Sequence, residues 1–518
     1  MQFHWKEVAV ELLQLKNVTL RLKKDGRSIA EDFSFTLKSG EKAVMIGEEG
    51  NGKSTLLKYL VDPRLVEPYC ECSGEVVKKG RIAYLPQMLA AQDRARTLLD
   101  YFGDTEYYRF PDVLAKLGLS VDFLLSQQTL GTLSGGERVK VQLARLLMDE
   151  PDVLLLDEPT NDLDIPTLCW LETFLAQSKL PILFISHDET LIEKTANVIV
   201  HMEQIIRKTK CRISVSRCSY RDYLAFRRNL FDHQEQVARD QREHYDRQME
   251  TWRRIYSRVE HEQAVITRAD PGGGRLLKKK MHTTLSMKKR FEREKEAFLD
   301  FPEEETAILT RFDETIRIPN GKTVLDFTCD RLCVGTRTLA ENVRLFVAGN
   351  ERVGITGRNG VGKSTLLARL WQELAPRRDL IAARMPQDYS QALDFEKTPI
   401  EYLAAHYSKE EITRARTYLG SMKFTHEEMT GSIGRLSGGQ QAKLLFLDMV
   451  LRGANVLLLD EPTRNFSPLS CPVVRAALCS FGGAIISVSH DRKYLREVCT
   501  KVYELRPDGL FPVDSDRQ

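Results

Sequence analysis

The stretch Gly47-Glu48-Glu49-Gly50-Asn51-Gly52-Lys53-Ser54-Thr55 decides the fold, because it returns as Gly357-Arg358-Asn359-Gly360-Val361-Gly362-Lys363-Ser364-Thr365. One G-x4-G-K-[ST] loop arises by chance on the order of a few times in a hundred chains of this length. Here the motifs that follow also repeat. Copy one continues with Gln87 in YLPQ, Leu133-Ser134-Gly135-Gly136-Glu137, Asp157-Glu158 after VLLL, and His187 after PILFIS. Copy two continues with Gln387 in RMPQ, Leu436-Ser437-Gly438-Gly439-Gln440, Asp460-Glu461 after VLLL, and His490 after SVS. The offset is 310 between the lysines, 300 between the glutamines, and 303 for the serines, the glutamates and the histidines alike. The chain holds a duplicated nucleotide-binding domain.

Local patterns place these motifs. Lys42 to Ile46 reads as a strand and Ser54-Thr55-Leu56-Leu57 opens a helix, the context a phosphate loop requires. VLLLD and PILFIS are short continuous apolar runs, expected of strands buried on both faces of a mostly parallel sheet. Their polar ends fall at the carboxyl edge, where such sheets bind ligands.

The chemistry follows from residue type. Gly47, Gly50, Gly52 and their counterparts Gly357, Gly360, Gly362 let backbone N–H groups close around phosphates at a helix N-terminus. Lys53 and Lys363 reach the outer phosphates, and Ser54 and Ser364 offer a hydroxyl to Mg²⁺. Asp157 and Asp460 end apolar strands, where a lone carboxylate is costly unless it holds a cation shell. Glu158 and Glu461 suit orienting or deprotonating an attacking water. Ser134-Gly135-Gly136 and Ser437-Gly438-Gly439 each begin a further helix, a second anion-binding helix start in each half.

Together with Gln87/Gln387 and His187/His490, the set resembles the ATP-binding cassette family over both halves. The resemblance implies a head-to-tail sandwich. One ATP would lie between Lys53, Gln87, Asp157, Glu158, His187 and Ser437-Gly438-Gly439. The other would lie between Lys363, Gln387, Asp460, Glu461, His490 and Ser134-Gly135-Gly136. It further implies that Thr55 and Thr365 join the ATP sites, that Gln87 and Gln387 join the Mg²⁺ ligands, and that His187 and His490 act beside the glutamates in catalysis. Both cassettes sit on one chain, so closure is intramolecular and a monomer is expected.

Composition narrows the rest. Of 518 residues, 42% are hydrophobic and 29% charged, which excludes a disordered or purely fibrous chain. No apolar run approaches the roughly eighteen residues of a membrane span, and MQFHWKEVAV shows no secretory signal, so a cytoplasmic protein without a membrane subunit is expected. Ten cysteines lack zinc or iron–sulfur spacing and read as reduced thiols.

Between the copies lies a different kind of sequence. Glycine and proline are absent from Tyr220 to Ala269, and Met249, Trp252, Ile255/Tyr256 and Val259 recur at helical spacing. Asp270-Pro271-Gly272-Gly273-Gly274 should break this helix, and a second should run from Leu276 to about Phe298, with Leu277, Met281 and Leu285 four apart. The fold class expected is therefore α/β: two cassettes with mostly parallel sheets, 1–218 and 303–518, joined by a long antiparallel helical hairpin, 219–302. From Arg268 to Arg290 eight basic residues face Asp270 alone, a net of +7 in a chain of +3. The remainder is thus −4. A basic tip on a mildly acidic body is an electrostatic footprint for nucleic-acid phosphates.

Tandem cassettes around such a hairpin resemble the ABC-F family, and Ser219–Arg227, SYRDYLAFR, is similar to that family's linker opening. The resemblance implies an ATPase that binds the ribosome (23S rRNA and tRNA) at the tRNA exit site and points its linker toward the peptidyl-transferase centre. Such a protein is a translation factor or confers antibiotic resistance by ribosome protection. Arg268, Arg275, Lys278, Lys279, Lys280 and the loop 270–274 would lie nearest RNA. A fused importer ATPase and a DNA-repair ATPase are the competing readings. Neither accounts for a basic-tipped hairpin between two intact cassettes. Two departures stand out: Glu48 and Glu49 are odd neighbours for a triphosphate, and PTNDLD after Glu158 becomes PTRNFSPLS after Glu461. Unequal turnover at the two sites is expected.

Overall fold

The computed structural model describes residues 11–103, 111–205, 210–265, 271–299, 312, 316–404 and 408–513. Each half is built on a six-stranded sheet. In the first the order is Ile82–Leu85, Val153–Asp157, Ile182–Ile185, Lys42–Ile46, Val198–Ile205, Lys210–Ser216. In the second it is Ala382–Met385, Val456–Asp460, Ala484–Val488, Arg352–Thr356, Lys501–Arg506, Gly509–Pro512. Five strands of each sheet are parallel and the last is antiparallel. Every residue of both VLLLD strands is buried, as continuous apolar runs between two helical layers must be. Asp157 pairs in register with Ile185, and Asp460 with Val488, so both acids end their strands at the ligand edge.

A smaller antiparallel sheet covers each phosphate-loop helix. The first half uses three strands, Ser28–Lys38, Glu11–Leu22 and Cys70–Lys78; the second uses two, Thr323–Val334 and Arg337–Ala348. Their inward residues, such as Leu13, Leu15 and Leu37 or Val324, Val343 and Val347, share one core with the main sheet and that helix.

The two halves cluster as one compact unit, and Arg221–Glu304 forms a second. Within the second unit, helices Tyr220–Val265 and Pro271–Glu296 run antiparallel. Trp252 Nε1 donates to the Thr284 carbonyl at 2.8 Å, Lys280 pairs with Glu262 at 3.7 Å, and Leu299 N–H donates to Gln241 Oε1 at 2.9 Å. The longer helix spans about 69 Å at 1.5 Å per residue.

One expectation needs correction. Gly272–Gly274 lie inside the second helix, which begins at Pro271 and not at Leu276. A proline fits the first turn, where its missing N–H costs no bond, and the long segment that follows offsets the poor helix propensity of the glycines. Leu285 is 45% exposed, whereas Leu277, Thr284 and Phe291 are buried. The seam therefore steps by seven, as paired helices require, and passes one residue short of Leu285.

Candidate active site

The two phosphate loops share one backbone. Gly47 and Gly357 stand at φ 142° and 143°, and a Cβ there would reach 2.2 Å from the Met202 carbonyl oxygen and 2.5 Å from that of Leu505. Glycine alone fits. Gly52 and Gly362 precede helices Lys53–Val61 and Lys363–Leu374 in left-handed conformation, with no side-chain cap, so the first N–H groups point into the loop. Thr55 and Thr365 lie half-buried in the first turns.

Both lysines are buried against their own loops. Lys53 Nζ donates to the carbonyls of Gly47 and Glu48 at 2.8 and 2.9 Å, and Lys363 Nζ to those of Gly357 and Arg358 at 2.9 and 3.0 Å. Ser54 Oγ donates to Asp157 Oδ1 at 2.9 Å, and the Tyr84 hydroxyl reaches Oδ2 at 3.2 Å. Ser364 stands close enough to Asp460 to lower its pKa against burial. Burial raises both aspartate pKa values. A hydroxyl beside a buried carboxylate, one turn from an ammonium, is a donor set of hard oxygens and fits Mg²⁺ carried by a phosphate.

The glutamates differ. Both hold positive φ, 49° at Glu158 and 50° at Glu461, strain that persists where the surrounding fold enforces it. Glu158 is encircled: Gln87 Nε2 donates to it at 3.2 Å and Asn161 Nδ2 at 2.7 Å, while His187 Nε2 lies at 3.3 Å. Burial pushes its pKa up, but the His187 hydrogen bond and charge, Asn161 and Lys53 outweigh burial and hold it at about 2. Among the described residues Glu461 has the His490 backbone N–H at 3.4 Å and the His490 ring at 4.0 Å. Burial and the neighbouring Asp460 push it up to about 8. Burial also lowers His490 to about 3, and its Nδ1 is buried without a hydrogen-bond partner among the described residues. Gln387 lies exposed after its strand.

The halves meet head to tail. A Cβ at Gly50 would lie 3.8 Å from that of Ser437. His187 Nδ1 donates to the Phe466 carbonyl across the interface at 2.8 Å. Asn359 Nδ2 donates to the Asp162 carbonyl at 2.5 Å, and Arg464 pairs with the Asp162 carboxylate at 3.0 Å. That carbonyl lies 2.2 Å from where a Cβ on Gly135 would stand, so Ser134-Gly135-Gly136 meets the second phosphate loop through Asp162. Ser134 and Ser437 each cap their helix in a capping box, with Glu137 and Gln440.

Glu48 and Glu49 do not point away. Glu49 accepts the N–H of Gly439, and Glu48 pairs with Lys443 at 3.2 Å, both on the opposite half. Sequence reasoning gave neither contact; it did mark PTNDLD against PTRNFSPLS, whose first difference is Asn161 against Arg464, but not which groups these two side chains reach. In the hairpin Arg275, Lys278 and Lys279 are exposed, Lys280 is tied to Glu262, and Arg268 lies outside the described residues.

Two phosphate loops facing two capped helix starts define a tandem ATP-binding cassette ATPase. The family model "ABC transporter" matches residues 30–161 and 340–464. The tylosin resistance ATP-binding protein TlrC of Streptomyces fradiae is 30% identical, over 95% of this chain and 97% of its own. ABC transporter F family member 2 of Arabidopsis thaliana is 25% identical over 95% of this chain and 76% of its own. Among solved structures, the archaeal ribosome recycling factor aABCE1 in complex with stalk protein aP1 superposes with TM-score 0.56 at 17% identity, covering 96% and 90% of the two chains; it attests the fold. The chain belongs to the ABC-F family of ATP-binding cassette proteins, and it is an ATPase. Among the described residues no helix is long and apolar enough to cross a membrane.

Proposed function

We propose that this ATPase binds the ribosome at the tRNA exit site and reaches toward the peptidyl-transferase centre with its hairpin, protecting the ribosome from an antibiotic or serving translation as a factor. The observation that carries this is the hairpin's own composition: an exposed basic end with Arg275, Lys278 and Lys279, set between two intact cassettes. Phosphate-rich RNA is the partner such an end attracts. The resistance named for TlrC, a relative matched along nearly its whole length, favours the protective role. The protein would act as a cytoplasmic monomer without a membrane subunit, with domains 1–218, 219–302 and 303–518.

In this reading ATP joins the cassettes because each nucleotide touches both, and the closed state is the ribosome-binding state. Lys53 and Lys363 hold the outer phosphates. Ser54 with Asp157, and Ser364 with Asp460, would hold Mg²⁺, with Gln87 and Gln387 completing its shell. Bound Mg²⁺ would neutralise phosphate charge. Glu158 orients and deprotonates water, held by His187 and Asn161. Ser134-Gly135-Gly136 and Ser437-Gly438-Gly439 bind the outer phosphate from the other side. Hydrolysis removes that bridge and releases the ribosome.

The test is sedimentation of a lysate carrying Glu158→Gln/Glu461→Gln with ATP. Co-migration with ribosomes, and raised tolerance to tylosin in cells expressing the wild type, are expected. A protein that stays at the top of the gradient while the purified wild type hydrolyses ATP overturns the ribosome assignment and reopens the importer and DNA-repair readings.

A further inference from the structure

Beyond the histidines of the ATP sites the cassettes touch through a second face built from buried charge. Helices Ile165–Gln177 and Glu189–Thr195 of the first half supply Glu172 and Glu189; helices Cys471–Ser480 and Arg492–Val498 of the second supply Arg475 and Arg492. Arg475 pairs with Glu189 at 2.5 Å, and Arg492 pairs with Glu172. Lys493 adds contacts to Glu189 at 3.1 Å and Glu193 at 2.5 Å. Glu172, Glu189 and Arg475 are each under a tenth exposed.

The offset of 303 makes this face unusual. Glu172 corresponds to Arg475, Glu189 to Arg492, Glu193 to Arg496, and Lys194 to Glu497. The sign is inverted at all four positions. The supporting pairs are inverted too: Lys194 holds Glu172 at 2.7 Å in the first half, and Glu497 holds Arg475 at 2.7 Å in the second. The cross-contacts join position 172 of one copy to position 189 of the other, and the reverse. The face is therefore self-complementary about a pseudo-twofold axis in geometry, but not in charge.

We propose that this sign inversion is a pairing code: it joins the first cassette to the second and rejects a like cassette of another copy of this chain. Two first cassettes docked this way would bury Glu172 against Glu189 twice, and two second cassettes Arg475 against Arg492 twice. Lys194 and Glu497 would relieve only one member of each like pair, and buried like charges in contact are strongly unfavourable, whereas the mixed pairing sets each against an opposite charge. The code rests on the tandem cassettes alone and is independent of the ribosome.

The experiment exchanges the whole faces in the full chain, including Lys493 and its counterpart Thr190. Glu172→Arg/Glu189→Arg/Thr190→Lys/Glu193→Arg/Lys194→Glu gives a chain with two basic faces, and Arg475→Glu/Arg492→Glu/Lys493→Thr/Arg496→Glu/Glu497→Lys one with two acidic faces. Each alone should lose most ATPase activity. Mixed in equal amounts they should form a particle of twice the mass and recover activity, and the variant carrying both sets should be an active monomer. Single-set variants with wild-type turnover, or a mixture that neither associates nor recovers, overturn the code. Where a single-set variant fails to fold by thermal melting, the variant carrying both sets decides: wild-type turnover supports the code, and inactivity contradicts it.

Discussion

The two ATP sites share every signature residue and still differ in the state of their glutamates. At the first, Glu158 is charged at neutral pH and held by Gln87, Asn161 and His187, and His187 is itself anchored on the Phe466 carbonyl. At the second, Glu461 is raised to about 8 and His490 Nδ1 has no hydrogen-bond partner among the described residues. The first cause is where the shared histidine sits, 3.3 Å from Glu158 in the first site and 4.0 Å from Glu461 in the second; the second is a neighbour outside the shared motifs. Arg464 stands where Asn161 does and turns to Asp162 across the interface. A duplicated motif therefore copies a binding site, while the contacts around it set the state of its glutamate. We take the first site as the hydrolytic one and the second as one that chiefly holds ATP.

The comparison can be broken or sharpened one residue at a time. The largest effect is expected from His187→Ala, which removes the link between Glu158 and Phe466. Steady-state ATPase should fall by about a hundredfold, the lower end of what a positioned acid–base group contributes, while His490→Ala should lose far less. Equal losses would dissolve the distinction.

Next, Glu158→Gln isolates the second site. Below pH 8 Glu461 is mainly protonated and a poor base; raising the pH through 8 ionises it. Residual turnover of this variant should rise roughly tenfold from pH 7 to pH 9, following the ionised fraction. A flat profile would mean that Glu461 is not the base there. Arg464→Asn in the same background should supply the missing hydrogen bond and raise turnover at pH 7 by several-fold, read in the same assay.

A smaller effect concerns ATP binding. Glu49 occupies the Gly439 N–H, a donor that the outer phosphate would otherwise take, whereas its counterpart Asn359 is neutral. Glu49→Gln should lower KM for ATP by roughly fivefold at unchanged kcat, about the cost of holding two like charges at partly exposed positions. Unchanged KM would show that Glu49 swings clear when ATP binds.

Much of this was legible in the sequence because its signals are local. Glycines before a lysine, an acid ending an apolar strand, and a serine opening a helix each state their chemistry within a few residues, and the fixed offset announced the duplication. What was not legible depends on partners brought together by folding. Nothing near Glu49 says that Gly439 lies opposite. Leu285 fitted a spacing of four and lost to the heptad seam that pairs the hairpin helices. Gly272–Gly274 read as a break because their propensity is poor, yet Pro271 starts a helix there. The inverted charges at 172/475 and 189/492 were visible at the offset of 303, but only the folded contacts gave them meaning.

The most direct test of unequal sites is to compare the single variants Glu158→Gln and Glu461→Gln in steady-state ATPase at pH 7.5, beside the wild type. The account requires Glu158→Gln to retain no more than about a hundredth of the activity and Glu461→Gln to retain most of it. Matching losses, or the reverse order, would contradict it.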